Sequence, residues 1–286
     1  MAPESAYRLA QVRVSTASLF PELRELLQDG ASRCRRVSDD CDYLRPDDPA
    51  LRVIAESVRT LRPKANVEID QCHVDVDSLC RRLQALLASR PMTQTTVAFV
   101  GDDDLASIAL LRSAPPELLL LLDIDERILA TVRAEADSLG LGQRVRAEQV
   151  DLSASADVTA ICARYGGSFD LVITDPPYAE GGIVQFVHTG MALTAYTGEI
   201  HVAVPALLAE AWTDELLHTV QLTLLRSGFV IDRVVPGTFA YETSDVISSL
   251  VIARRLPGSP PQVELAPTSA GRFYTTRIAP EQRPLL

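Results

Sequence analysis

From Thr95 onward this chain alternates short apolar runs with segments of helical spacing. "TVAFV", "ELLLLLDID", "RVRAEQVD", "FDLVITDPPY" and "GEIHVAVP" follow one another in that order. A strand with one wet face alternates apolar and polar residues. Runs such as "LLLLL" do not, so the sheet they form has both faces covered. Between them, a helix is expected from about Leu105, and "ERILATVRAEADSLG" and "ASADVTAICARYG" have helical spacing. Strands and helices in alternation predict a parallel sheet with helices on both faces. A long amphipathic helix, "ALLAEAWTDELLHTVQLTLLRSG", closes at Gly228, and "FVIDRVVPGTF" and "SSLVIARRL" then add a hairpin to the sheet. The expected fold class is α/β, with a seven-stranded, mostly parallel sheet. After the loop "PGSPPQVELAP", a short last strand is expected in "RFYTTRI".

The beginning of the chain reads differently. "PELRELLQDGASRCRRV" and "PALRVIAESVRTL" have helix-like spacing and flank the turn-prone "SDDCDYLRPDD". Residues 1–65 are therefore expected to form a small helical region, and residues 66–286 the main domain. Val67 to Ile69 is a strand candidate. In "DVDSLCRRLQALLASR", Asp77 or Ser78 is the expected cap of a helix whose Leu79, Leu83, Leu86 and Leu87 share a face. No run nears the roughly 18 apolar residues of a membrane span. "MAPESAYRLAQVRV" lacks the layout of a signal peptide. A cytoplasmic protein with no membrane partner is expected. Cys34, Cys41, Cys72, Cys80 and Cys162 form no C-x-x-C pair and no zinc spacing, so they read as buried or incidental thiols and no metal is expected. A net charge of −11 opposes a nucleic-acid partner, which demands a basic face; it suits solubility or a cationic substrate.

The placement of the acids bears on that choice. Ligands of open α/β sheets bind at the carboxyl ends of the strands. There the first strand presents Gly101-Asp102-Asp103-Asp104, the second Asp123-Ile124-Asp125, the third Asp151, and the fourth Asp175-Pro176-Pro177-Tyr178. Asp123 stands 22 residues after Gly101, where such folds place an acid on a ribose diol. Ile124 would then lie against adenine. The competing role is a cap, by Asp123 or Asp125, for a helix starting at Glu126. Asp151 either reaches the adenine amino group or caps the next helix. The first loop has neither G-x-G-x-x-G nor G-x-x-x-x-G-K-[ST], and three carboxylates at a helix N-terminus repel a pyrophosphate. Capping uses one or two acids. The third points to a phosphate-free adenosyl ligand with a cationic tail, such as S-adenosylmethionine or its decarboxylated form.

Two prolines stiffen "DPPY" and hold the Asp175 carboxylate and the Tyr178 ring in place. The tetrapeptide is similar to the [ND]-P-P-[YFW] of folds that transfer groups from a sulfonium to an amino nitrogen. Together, Gly101-Asp102-Asp103-Asp104-Leu105, Asp123-Ile124-Asp125-Glu126-Arg127 and Asp175-Pro176-Pro177 resemble the branched-chain polyamine synthases, the N4-bis(aminopropyl)spermidine synthases. "EIDQ", from Glu68 to Gln71, resembles the lead-in of that family, and "RFYTTRI" its closing segment. The resemblance implies a Rossmann-like, class I methyltransferase-like core behind a winged-helix domain, whose pattern residues 1–65 do not carry. It also implies aminopropyl transfer from decarboxylated S-adenosylmethionine to the secondary nitrogen of spermidine. Carried over by position, the loop aspartates Asp102, Asp103 and Asp104 hold the donor's aminopropyl ammonium, Asp123 its ribose, and Asp175, also a donor-site residue, orients the attacking amine and helps take its proton; Gly101 belongs to the same donor loop. Ile124, Asp151 and Pro176 complete the expected donor site. Asp103, Tyr178 and Asp175 are the catalytic candidates, and Pro177, Tyr178 and Glu180 face the acceptor.

A sulfonium carries its own leaving group, so such an enzyme chiefly supplies alignment and an unprotonated nucleophile. Carboxylates sharing a site raise one another's pKa until one can accept a proton near neutrality. His188 is either a second base or a helix-surface residue. Three other readings stay open: 3-amino-3-carboxypropyl transfer from intact S-adenosylmethionine to a small natural product, N-methyl transfer, and a non-catalytic binding relative. The expected partner is a small cationic amine, and a homodimer is left open.

Overall fold

The computed structural model describes residues 48–205, 211–244, 246–256 and 273–275. Cys34, Cys41, the first expected helix and part of "RFYTTRI" lie outside the described residues. One seven-stranded sheet has the order β3-β2-β1-β4-β5-β7-β6. Its strands are β1 (Thr96–Val100), β2 (Leu118–Asp123), β3 (Val145–Gln149), β4 (Phe169–Thr174), β5 (Thr194–Pro205), β6 (Phe229–Ala240) and β7 (Ile247–Arg255). β1 to β5 are parallel, and β7 lies antiparallel between β5 and β6. The expected mostly parallel sheet with an added hairpin is the one observed.

Helices cover both faces, and successive strand residues serve opposite sides, as the pleat requires. Val97, Phe99, Leu119 and Leu121 pack under α1 (Pro49–Arg59), α2 (Val76–Ser89), α3 (Ala106–Ser113) and α4 (Glu126–Ser138). Ala98, Val100, Leu120 and Leu122 pack under α5 (Ser155–Tyr165), α6 (Glu180–Leu193) and α7 (Ala211–Arg226). Strand order reverses between β1 and β4, which opens a crevice at their carboxyl ends.

Several local expectations are corrected. Val67–Ile69 is a 3-10 turn, because Asn66 accepts the Glu68 N–H and Asp70 turns left-handed at φ 58°. α2 is capped by Asp75, not by Asp77 or Ser78. The boundary at residue 65 falls inside one core: α1 buries Leu51, Ala55 and Val58 in the same cluster as Phe99 and Leu105. Phe273–Thr275 lie outside the sheet. α6 starts directly after the Asp175–Tyr178 turn, in the glycine-bearing stretch Glu180-Gly181-Gly182. Its Gly182 is there for close packing, since a Cβ would lie 2.2 Å from the Phe273 carbonyl oxygen and 3.0 Å from Pro177 Cβ.

Candidate active site

Two adjoining cavities open at the crevice, and Asp103, Asp175, Pro177, Gln71 and Asp70 line both. The first runs along the ends of β1 and β2. Asp123, Ile124, Leu122, Val150, Leu152, Phe186 and Tyr274 form its walls. The second, about 370 Å³, is bounded by Pro176, Tyr178, Tyr241, Cys72, Thr243 and Thr275. No lysine, arginine or histidine among the described residues lines either cavity.

The turn after β1 gives its consecutive aspartates separate positions. Gly101 sits at φ +75° with the Phe186 ring 3.1 Å from where a Cβ would stand, so only glycine fits there. Leu105, at φ 56°, reverses the chain into α3. Asp102 accepts the N–H groups of Ala106 (2.8 Å) and Ser107 (3.0 Å), which is the capping role. Burial pushes its carboxyl up to about 7. Asp103 points into the seam between the cavities, and its one hydrogen-bond partner among the described residues is the Cys72 N–H at 3.0 Å. Burial, then Asp104, Asp175 and Asp123, push its pKa well above the carboxylate range.

Asp104 lines neither cavity, so the expectation that it holds the donor is corrected. It is fully buried, accepts the Val74 N–H at 2.6 Å and pairs with Arg82 at 2.9 Å. Asp123 accepts the N–H groups of Asp102 (3.0 Å) and Asp125 (2.8 Å) and still faces the first cavity. Burial pushes it up to about 6. The cap of α4 is Asp125, which accepts the Arg127 N–H at 3.0 Å, so Asp123 is not needed there. Ile124 lines the first cavity. Asp151 lines neither and caps no helix; it closes a turn onto Ser153 N–H (2.9 Å) and hydroxyl (2.6 Å). Its neighbours Val150 and Leu152 are the wall residues. Glu180 is exposed at the start of α6, away from both cavities, which corrects its acceptor role. His188 is half-buried on α6 and also outside both; burial lowers its pKa.

Asp175 is the most heavily tied acid. Its Oδ2 accepts from Arg82 Nη2 at 2.6 Å and its Oδ1 from Tyr178 OH at 3.2 Å, while the single Tyr241 hydroxyl proton is shared between Oδ1 (3.1 Å) and Oδ2 (3.2 Å), which leaves one acceptor position open. The two phenols lie 2.5 Å apart, and both reach Ser248. Burial pushes the Asp175 carboxyl up, and Arg82 pulls it back. Both phenols are pushed well above their usual range by burial and then Asp175, so they stay neutral donors. Of the partners that the sequence reading does not name, Arg82 alone leaves a trace: it interrupts the apolar stripe Leu79, Leu83, Leu86 of α2. Tyr241 and Ser248 come from the hairpin end and carry no local signal.

The family model described as the branched-chain polyamine synthase A C-terminal domain matches residues 51–277. An N(4)-bis(aminopropyl)spermidine synthase of Thermococcus kodakarensis is 35% identical over 132 residues, 46% of this chain and 36% of that one. The synthase of Thermus thermophilus is 28% identical over 195 residues, 66% of this chain and 52% of its own. An uncharacterized protein of Methanocaldococcus jannaschii is 26% identical over 219 residues, 77% of this chain and 52% of that one. The chain thus spans about half the length, or less, of these relatives. A crystal structure of the branched-chain polyamine synthase from Thermus thermophilus, in complex with N4-aminopropylspermidine and 5'-methylthioadenosine, superposes with a TM-score of 0.60 at 22% identity. It covers 74% of this chain and 67% of that one. A methyltransferase-type structure from Pyrococcus horikoshii shares the fold at a TM-score of 0.55 and 12% identity, over 72% of this chain and 98% of its own. The expected Rossmann-like, methyltransferase-like architecture is the observed one. With the family match spanning all seven strands and every element that shapes the crevice, the chain belongs to the branched-chain polyamine synthase A C-terminal domain family.

Proposed function

We propose that this chain transfers an aminopropyl group from decarboxylated S-adenosylmethionine to a cationic amine. The observation that carries the reading is the seam: Asp103 and Asp175 face both cavities, and no described cation lines either. The family membership supports it, as does the Thermus thermophilus structure, whose two ligands are the pair such a transfer leaves behind.

The residues fit that donor. A carboxylate offers about four acceptor positions; Asp123 spends two on backbone N–H groups, which leaves two for a ribose diol. Ile124, Leu122, Val150 and Leu152 give a purine an apolar slot. Asp103 faces the cationic tail. Intact S-adenosylmethionine adds a carboxylate, which the acids of the seam repel and no described lining residue neutralises. That disfavours 3-amino-3-carboxypropyl transfer.

In the reaction, Asp175 accepts a hydrogen bond from the attacking amine and points its lone pair at the methylene beside the sulfonium. The N–C bond forms as the C–S bond breaks, and the bonding pair stays on sulfur as the neutral thioether of 5'-methylthioadenosine. The new ammonium sheds a proton to Asp175. Tyr178 and Tyr241 hold that carboxylate at the mouth of the second cavity. The test is chromatographic: release of 5'-methylthioadenosine from either donor, with spermidine and shorter amines as acceptors. Release from the decarboxylated donor with an aminopropylated amine is expected. Release from intact S-adenosylmethionine alone, or from neither, overturns the proposal.

A further inference from the structure

We propose that Arg82 is a positioning residue for this transfer, fixing the Asp175 carboxylate in one orientation through a buried ion chain that runs from Asp104. The inference rests on the proposed function. Its ground is the geometry. The guanidinium lies beneath the seam without lining it, and its two terminal nitrogens separate their tasks: Nη1 binds Asp104 at 2.9 Å and Nη2 binds Asp175 at 2.6 Å. The Phe239 ring lies 4.5 Å below it. A planar fork bridging two carboxylates sets both distance and direction, which a lysine cannot do from one nitrogen.

The fold alone does not call for this arrangement. Arg82 occupies the stripe of α2 formed with Leu79, Leu83 and Leu86, a face that otherwise buries apolar side chains. A buried ion chain replaced as a whole by apolar side chains of similar volume often leaves a fold no less stable, so stability alone does not require it. Asp104 is itself anchored from its other side, by the Val74 N–H and by Arg62, whose Nε donates to the Asp104 carbonyl and whose Nη2 lies 3.8 Å from its Oδ1. Asp104 thus serves as the fixed post for Arg82. The third aspartate of the loop, which lines no cavity, acquires a role at one remove from the reacting atoms.

The charged and titratable groups around Asp175 are Arg82 from α2, Asp103 and Asp104 from the turn after β1, Tyr178 from its own loop and Tyr241 beyond β6. Arg82 is the cation among them, and it favours the ionised Asp175 that the amine needs. Without it, Asp175 ionises only at higher pH, beside Asp103 and Asp104.

The test compares Arg82→Lys, and the charge-balanced pair Arg82→Gln with Asp104→Asn, against the unsubstituted protein. Calorimetry with 5'-methylthioadenosine reads whether the nucleoside cavity survives. Transfer kinetics read kcat and KM across pH. Both variants are expected to bind the nucleoside within about two-fold, and to lose kcat by roughly 100-fold, the size of a displaced catalytic group. In the double variant the acidic limb of the kcat profile moves to higher pH. An unchanged kcat and acidic limb in either folded variant overturns the inference. So does loss of nucleoside binding in both, which makes the ion chain a support of the fold. If the unsubstituted protein performs no transfer, the proposed function falls first and this inference with it. If it transfers and Arg82→Lys matches it, only this inference falls.

Discussion

Asp103→Asn isolates the feature on which the donor reading turns, a carboxylate aimed at the cationic tail and at nothing else in the ligand. The substitution keeps shape and leaves the Cys72 N–H an oxygen to donate to. It removes the charge. At an effective dielectric near 20, a carboxylate about 4 Å from an ammonium gains roughly 4 kcal/mol before desolvation. Net values for charged hydrogen bonds are about 1.5–3 kcal/mol, which corresponds to about 10- to 150-fold in affinity. The lower half of that range is expected here, because burial, Asp104, Asp175 and Asp123 raise the Asp103 pKa, and the incoming cation must first displace a proton. Calorimetry with decarboxylated S-adenosylmethionine and with neutral 5'-methylthioadenosine separates charge from shape. The first ligand loses affinity and the second keeps it. Since a cation prefers the ionised carboxylate, the decarboxylated donor binds the unsubstituted protein more tightly as pH rises, and that slope flattens in Asp103→Asn. Equal weakening of both ligands, or unchanged binding of the cationic one, refutes the assignment.

Three further outcomes are expected. Asp102 and Asp123, pushed up to about 7 and about 6 mainly by burial, keep protons in the folded state that the unfolded chain releases near the ordinary 3.8. The folded protein therefore holds more protons between about pH 4 and 7, and its stability falls as pH rises through that window by roughly 1 kcal/mol per unit for each group. Asp125, held low first by Arg127, acts with the opposite sign below the window, and His73 and His188, lowered by burial, act with the opposite sign within it but are outweighed by the two buried carboxyls. Melting of the unliganded protein at a series of pH values reads the slope, and stability that climbs from about pH 5 to 7 contradicts it. Gly182→Ala drives a Cβ against the Phe273 carbonyl and Pro177, costing about 1–3 kcal/mol by melting; donor affinity falls with it, because the adjoining Tyr274 and Pro177 line the first cavity. Asp151→Ala leaves affinity for 5'-methylthioadenosine within about two-fold, since it lines neither cavity and turns its Oδ1 onto Ser153, and a tenfold loss would restore it to the donor site.

What a sequence discloses here depends on whether the cause of a feature is local. Leu118–Leu122 read as a doubly covered strand because the run leaves no polar face, whatever packs on it. The bounds of α6 are not legible in the sequence because Gly182 and Gly190 weaken helical spacing, and the reasons for them are the Phe273 carbonyl and Ile200, met only after folding. The strand-end acids show the same division within one loop. Asp102, Asp103 and Asp104 are indistinguishable by type and spacing. A turn bent by Gly101 and Leu105 sends the first to the amides of α3, the second into the seam and the third down onto Arg82. A run of acids at a binding edge therefore overstates the number that meet the ligand, because carboxylates are also what satisfies buried N–H groups and buried cations. Sorting them requires a count of which oxygens are already occupied. By that count Asp103, with a single backbone donor, is the least occupied; Asp102 and Asp123 each accept two N–H groups and both line the first cavity, and it is the place of Asp123 at the end of β2, beside Ile124, that marks it for the ribose in the proposed reading. Asp175 is the one already held in place to act on an acceptor.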